Sequence, residues 1–533
     1  MTPKQPDSAP RQEDAEQLFL LLASDDRRLC REAERSLARL GPSAAEQAQA
    51  RLAAARPPLR ARLCRLLGRI AASSRDPALT GVLLELLDDG DLKTRRSAVI
   101  VLGKLVAPSP GAELPAEAGA IEQRLLARWA AGGLELAERR SLVLALGKIG
   151  SAATMEALGE EQSEDPELGR LLEEARLKLR RTLGRDTPGH IDPRRRAPRP
   201  LLVRFHCRAG LEAVLAEEIG ADLQPEARPP AWVDARWAGS LERLQRPRTA
   251  LWFGFPLPPR ELAPGEDVAV AVADALCAPD CRGLLHAFTV GPIRFRLEWA
   301  GAGHRRAQSF RVAAEVARRW PELQNDPTRS LWELVVRQGR KLQLELWPRG
   351  LPDPRFAYRR RDLPAASHPT VAAALARTAG VREDDVCWDP FVGSGLELCE
   401  RGLLGPYRRL FGSDLDPVAL EAAGENLAAA GLQHYQLEQG DARWHSPAER
   451  PSLILTNPPM GRRLLHGQEL TPLLEAFLRR AAELLLASGR IVWINPLPDG
   501  GLPVLAAAGL RPERRQRLDM GGFHAELQLL RKD

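Results

Sequence analysis

Val386-Cys387-Trp388-Asp389-Pro390-Phe391-Val392-Gly393-Ser394-Gly395 is the stretch that decides the fold of this chain. Its apolar start reads as a buried parallel strand, which breaks into a glycine-rich turn and then a helical run, Leu396 to Leu404. Glycines at the carboxyl end of a strand in an α/β sheet let a ligand approach the backbone closely. A second strand-like run, Arg409-Leu410-Phe411-Gly412-Ser413, ends in Asp414-Leu415-Asp416-Pro417, and an acidic residue at that spacing suits ribose hydroxyls. A third run ends in Gly440-Asp441-Ala442. A fourth, Leu453-Ile454-Leu455, enters Thr456-Asn457-Pro458-Pro459-Met460-Gly461. The two prolines cannot extend that strand, so the chain turns there and presents its polar groups. Asn457 offers a carbonyl oxygen and Pro458 a backbone C=O, and two adjacent acceptors match a planar –NH2 with two donors.

Four successive strand ends, each with a polar or glycine-rich signature, carry more information than any one of them. The set DPFVGSG, GSDLDP, GDA and TNPPMG resembles S-adenosylmethionine-dependent class I methyltransferases that act on an exocyclic amine. More narrowly, it is similar to the THUMP-containing RNA guanine-N2 methyltransferases, over roughly residues 365–533. The resemblance implies that Asp389, Pro390, Phe391, Gly393, Ser394 and Gly395 face the methionine part of the donor, with Asp389 organising the loop or meeting the amino group. Asp414 is the implied ribose ligand, with Asp416 as the second choice. Asp441 is expected to accept from the adenine amino group while the Ala442 N–H reads the ring. Each of these aspartates has a plainer alternative, a strand-end residue capping a helix. Asn457, Pro458, Pro459 and Met460 are the implied catalytic turn, with Asn457 also lining the donor site. Relatives often carry Tyr or Phe where Met460 stands, so Phe391 or Phe523 is expected to supply the missing stacking face. Arg462 and Arg463 are expected to meet a flanking phosphate or solvent. No metal is implied.

The 533 residues, 44% hydrophobic and 27% charged, suit a multidomain globular protein. Seven cysteines without a paired framework point to a reducing compartment, so a cytoplasmic location is expected. No apolar run reaches the length of a membrane span. The net charge of +6 favours a polyanionic partner.

Read in order, residues 1–12 are an expected disordered tail. Residues 13–185 are rich in Leu, Ala and Arg with helical spacing. Similar segments recur around Leu37, Leu67, Leu102 and Leu146, each followed by a small residue, with Asp-rich turns between helices. That pattern is similar to HEAT-type α-solenoid repeats, a surface for protein or RNA or a purely structural extension. Residues 186–199 form a basic, proline-broken linker. Residues 200–350 mix strands and helices: a strand from Leu201, a helix over 210–219 with a wet edge at Glu218, a half-exposed strand Ile293–Trp299, and a hairpin over 331–347. This order resembles an α+β THUMP module with its ferredoxin-like neighbour, which in that family holds structured RNA. Arg294, Arg296, Arg305, Arg306 and Arg311 are the candidate phosphate contacts. Residues 351–533 are the α/β Rossmann-like class I methyltransferase domain.

The expected function is methylation of an exocyclic amine in structured RNA, guanine N2 of tRNA or rRNA. RNA would be held by the THUMP-like region and linker, with a protein partner on the HEAT-like repeats and no membrane. One rival is an amino-methyltransferase acting on DNA adenine or protein glutamine, which needs no RNA-holding middle region. The other is a HEAT-based interaction protein with a degenerate catalytic domain, against which intact Gly393, Gly395, Asp414, Asp441 and Asn457 argue.

Overall fold

The leucines that recur through the first third of the sequence are the core of a stack of helices. The computed structural model describes residues 12–106, 117–183, 187–197, 199–228, 230–301, 303, 305–364, 366–460, 467–497 and 502–532. The tail expected over 1–12 therefore falls almost wholly outside the described residues. The chain divides into two compact units: residues 1–188 with 268–273 and 305–326, and residues 189–267 with 274–304 and 327–533.

In the first unit, described helices run in succession from Gln12–Ala23 to Pro166–Leu183. Leu37, Leu67, Leu102 and Leu146 are all fully buried. The glycines that follow Leu67, Leu102 and Leu146 set the spacing of the stack. A Cβ on Gly103 would lie 2.8 Å from the Cβ of Ala145, and one on Gly147 2.7 Å from the Cβ of Ala175. Helix Leu92–Leu105 thus presses on Leu136–Ile149, and that helix on Pro166–Leu183, at a separation that only glycine permits. The aspartates of the intervening turns cap helices: Asp26 accepts from Arg28 N and Leu29 N, and Asp91 from Thr94 N. Buried Glu138 pairs with Arg95 and Arg128, tying together three helices.

In the second unit, seven strands of residues 200–350 form one mixed sheet. Their order is Glu226–Arg228, Trp232–Trp237, Leu201–His206, Trp252–Pro256, Leu342–Trp347, Trp332–Gln338, Ile293–Trp299. The hairpin expected over 331–347 is present, with Leu344 opposite Val336. Two expectations are corrected. Ile293–Trp299 is not half-exposed at its start: Ile293, Arg294 and Phe295 are all buried because both faces are covered, so Arg294 is no surface group, and Arg296 pairs with Glu333. Glu218 is not a wet edge. Its side chain is buried, accepting from Arg248 N and Thr249 N and pairing with Arg377. The stretch read as a linker is also built into the unit. His190–Ile191 pairs with Thr289–Val290, Arg195 donates to the Thr289 carbonyl, and Arg199 pairs with Asp280.

The remaining sheet belongs to residues 351–533. Its elements are α1 (Pro369–Ala379), β1 (Val386–Asp389), α2 (Leu396–Leu404), β2 (Arg409–Asp414), α3 (Pro417–Ala429), β3 (Tyr435–Gln439), β4 (Leu453–Thr456), α4 (Gly467–Leu484), β5 (Arg490–Asn495), α5 (Leu502–Ala507), β6 (Leu510–Asp519) and β7 (His524–Lys532). The strand order is β3-β2-β1-β4-β5-β7-β6, parallel except for β7, which runs antiparallel to both neighbours. The central strands are covered on both faces, which is why they read as unbroken apolar runs. Chain order reverses between β1 and β4, and a sheet of this kind opens a crevice at the carboxyl ends of those two strands.

At the opposite end of the same strands lies a buried charge cluster. Asp385, Arg401 and Arg490 are all buried; Arg490 grips both Asp385 oxygens (2.9 and 2.8 Å) and Arg401 donates to one of them (2.8 Å). Residues 200–350 dock on this domain through Arg248, which makes a two-pronged contact with Glu400 (2.6 and 2.8 Å) that Tyr358 Oη completes (2.6 Å). At the far edge, Asp519 N donates to the Ala209 carbonyl (3.0 Å).

Candidate active site

The crevice is built from the ends of β1, β2 and β4. Asp389, the last residue of β1, is fully buried. Its Oδ1 accepts from Thr456 Oγ1 (2.7 Å) and Phe391 N (3.1 Å), while Oδ2 has no partner among the described residues. Burial first, and then the neighbouring Glu397, raise its pKa well above the usual carboxylate range. A buried carboxyl oxygen left this way has room to accept one further hydrogen bond, and an incoming positive charge would favour its ionised form.

The turn after Asp389 needs two of its glycines. Gly393 and Gly395 sit at φ +49° and +78°, in the left-handed region. A Cβ on Gly395 would lie 3.1 Å from Ala423, so its absence also lets α2 pack on α3. Gly393 N donates to Asp414 Oδ2 (2.9 Å), fastening the turn to the end of β2, and the other Asp414 oxygen accepts from Asp416 N (3.1 Å). Asp416, expected as the second ribose ligand, is exposed and caps α3 by accepting from Val418 N (2.9 Å). Asp441 is held by its neighbour: Arg443 donates to both carboxylate oxygens, which lowers the Asp441 pKa. Ala442 is buried beside it.

Asn457 follows directly on β4, next to β1. Its Nδ2 donates to Ser367 Oγ (2.7 Å), and its Oδ1 is buried without a partner among the described residues. Pro458 is buried, and Pro459 and Met460 are half-buried. Gly461, Arg462 and Arg463 lie outside the described residues. Phe391 is half-buried and packs edge-on against Phe477 (5.3 Å between ring centres), which makes it a wall of the core; Pro390 and Ser394 are buried within the turn.

Three residues of the site were not singled out by the sequence. Ser367 receives the Asn457 amide and donates in turn to Glu397 Oε1. Glu397, buried on α2, has its pKa pushed up to about 7 by that burial. The signal for it was an acid within the otherwise apolar run Leu396 to Cys399. Asn426, buried on α3, donates to the carbonyls of Ser394 and Arg361 and accepts from Arg360 N and Arg361 N. It pins the glycine turn to the chain entering α1. His368 caps α1 through Nδ1; burial and the charges of Arg208, Arg359 and Arg355 push its pKa down to about 4, so it stays a neutral acceptor. A cavity of about 290 Å3 lined by Leu244, Trp252, Trp347 and Arg355 contains none of these residues.

A switch-point crevice with a glycine turn, an acidic β2 end and an acceptor turn after β4 defines a class I methyltransferase domain. Residues 357–498 match the RMKL-like methyltransferase domain, UPF0020, whose enzymes take their methyl group from S-adenosylmethionine. The chain is 34% identical over 167 residues to the tRNA (guanine(6)-N2)-methyltransferase of Thermus thermophilus, covering 31% of this chain and 49% of that protein. It is 32% identical over 134 residues to the tRNA (guanine(10)-N2)-dimethyltransferase of Methanothermobacter thermautotrophicus, covering 25% of this chain and 39% of that one. The chain thus spans half or less of the length of these two relatives. Among solved structures, TrmN from Thermus thermophilus superposes with a TM-score of 0.52 at 26% identity, covering 62% of this chain and 100% of that one. No helix among the described residues is long and apolar enough to cross a membrane.

Proposed function

We propose that this protein transfers a methyl group from S-adenosylmethionine to an exocyclic amine of structured RNA, guanine N2 of tRNA or rRNA. The observation that carries this reading is Asn457: its Nδ2 is committed to Ser367 while its buried Oδ1 is left to accept. When bound, the donor supplies a methyl group activated by a sulfonium centre. The open Asp389 oxygen takes the donor's ammonium, Asp414 meets the ribose, and Asp441 with the Ala442 N–H reads the adenine. Asn457 Oδ1 and the Pro458 carbonyl accept the two hydrogens of the amine. An amine conjugated with a base is a poor nucleophile, and bonding both hydrogens in a tetrahedral direction concentrates its lone pair toward the methyl. This is catalysis by positioning and fixed dipoles. Met460 covers the base face less rigidly than an aromatic ring would. The base enters unpaired, because a paired N2 lies buried in a groove.

The remaining parts take supporting roles in this proposal. Residues 200–350 act as a THUMP-like RNA holder, supported by their docking on α2 through Arg248 and Glu400. Residues 13–185 are a HEAT-like scaffold, supported by the leucine–glycine stacking of successive helices, and offer a surface to a protein partner. A cytoplasmic location fits the cysteine usage. The test is transfer of tritiated methyl from S-adenosylmethionine to separate RNA, DNA and protein fractions. RNA should be labelled, and Asn457→Ala should lower the rate by about a hundredfold or more, the usual cost of deleting one preorganised polar group. Labelling of DNA or protein in place of RNA would overturn the reading, and so would no transfer by a protein that binds the donor in calorimetry.

A further inference from the structure

Asparagine carries an acceptor and a donor on one planar group, and a half-turn about its last bond exchanges them. The proposed chemistry needs the oxygen outward, so something must hold that choice. Asn457 Nδ2 donates to Ser367 Oγ at 2.7 Å, across 90 residues of sequence. Ser367 Oγ donates to Glu397 Oε1, across a further 30. The serine has one hydrogen to give. While Glu397 is a carboxylate it can only accept, so the serine hydrogen points to it. The serine oxygen must then receive an N–H, and the asparagine must turn its nitrogen inward.

We infer that Ser367 and Glu397 are positioning residues that orient the Asn457 amide, and that a proton on Glu397 reverses the chain and turns the amide the wrong way. This rests on the proposed amine-acceptor role of Asn457. With the proton in place, Glu397 donates to Ser367, Ser367 donates to Asn457 Oδ1, and the –NH2 faces the crevice, where it repels the substrate amine instead of accepting from it. Beyond the proton that Glu397 takes from solvent, the change is a rotation of the Ser367 hydroxyl and a half-turn of the Asn457 amide, and no bond between heavy atoms breaks. Glu397 is suited to this role because burial raises its pKa to about 7, where a glutamate on a wet helix face would be fully ionised. The groups that face it are carboxyls. Asp389 lies at the end of β1, itself close to Asp414, and Glu400 lies one turn along α2, where Arg248 and Tyr358 hold it. His368, beside Ser367, is neutral in this range.

The chain has four asparagines, Asn325, Asn426, Asn457 and Asn495, so 15N-asparagine labelling of the full-length protein gives a spectrum in which Asn457→Ala identifies the Asn457 signals. In the donor-free wild type, the Asn457 side-chain amide should shift with pH, with a midpoint near the Glu397 pKa of about 7. Glu397→Gln and Ser367→Ala should each abolish that titration, and Ser367→Thr should keep it. In methyl-transfer assays, kcat should rise with pH through the same midpoint. Glu397→Gln should lower it about ten- to a hundredfold with little change in KM, the size expected for a group that orients a working side chain. An Asn457 signal that does not move over about two pH units on either side of 7, or one that titrates unchanged in both Glu397→Gln and Ser367→Ala, overturns the inference. The spectra need no substrate, so an absence of methyl transfer with the titration intact would overturn the enzymatic reading and leave the relay standing.

Discussion

Asp385→Ala removes the one anion between two buried guanidinium groups. Asp385, Arg401 and Arg490 together carry a net charge of +1, and all three are essentially inaccessible. Besides the two arginines, the carboxylate accepts from Ser452 Oγ (3.0 Å) and Arg382 N (3.3 Å). Some of the loss is cushioned, because Arg401 also donates to the carbonyls of Arg382, Gly405 and Pro406, and Arg490 to those of Ala379 and Gly380. Breaking one buried pair from one side costs about 3–5 kcal/mol. Here two cations lose their partner and face each other, so a loss of about 4–5 kcal/mol is expected even with those carbonyls in place. That is a large share of the stability of a domain, about 5–15 kcal/mol. The arginines hold the Asp385 pKa down against its burial. A depressed carboxyl contributes its stability above its unfolded pKa and loses it only as pH falls through the folded value, so the full effect is present at neutral pH. Hydrogen exchange of peptides from β1, β4 and β5 reads it, with peptides from the helical unit as an internal reference. A loss of about 4 kcal/mol is nearly a thousandfold drop in protection. A drop smaller than about tenfold, or an equal drop in the helical unit, would refute the assignment of this cluster as the clamp of the sheet.

Two further outcomes follow from the site. Gly395→Ala places a Cβ at φ +78° and 3.1 Å from Ala423, so the turn must shift, and calorimetry should show S-adenosylmethionine affinity lowered by about tenfold or more while the helical unit melts unchanged. Glu397 has a raised folded pKa of about 7, so the proton it holds favours the folded state at low pH, and that contribution is lost as pH rises through 7. Denaturant titrations should therefore show the stability of wild type relative to Glu397→Gln falling by roughly 3 kcal/mol between about pH 4.5 and 8, and a difference that stays flat with pH would contradict a buried, protonatable Glu397.

Much of this domain is legible in the amino-acid order because parallel strands buried on both faces leave little room for anything but apolar residues. Such strands must end in residues that can turn, cap or bind. The runs 386–388, 409–413 and 453–455 and the signatures after them therefore announce the sheet, the glycine turn and the turn that carries Asn457. The leucine–glycine pattern of the first third is readable for a similar reason, since only small residues allow helices so close. Long-range charge pairing leaves no such trace. Glu397, Arg401 and Arg490 look like ordinary wet-face residues until α2 and β5 are packed, and Arg294 looks like an RNA contact until its strand is covered. Asp416 and Asp414 are alike in sequence, yet one caps a helix and the other faces the turn. What only the folded chain decided is which polar groups lose water. That depends on what lies across from them, as Ser367 and Glu397 lie behind Asn457, and no local spacing encodes it.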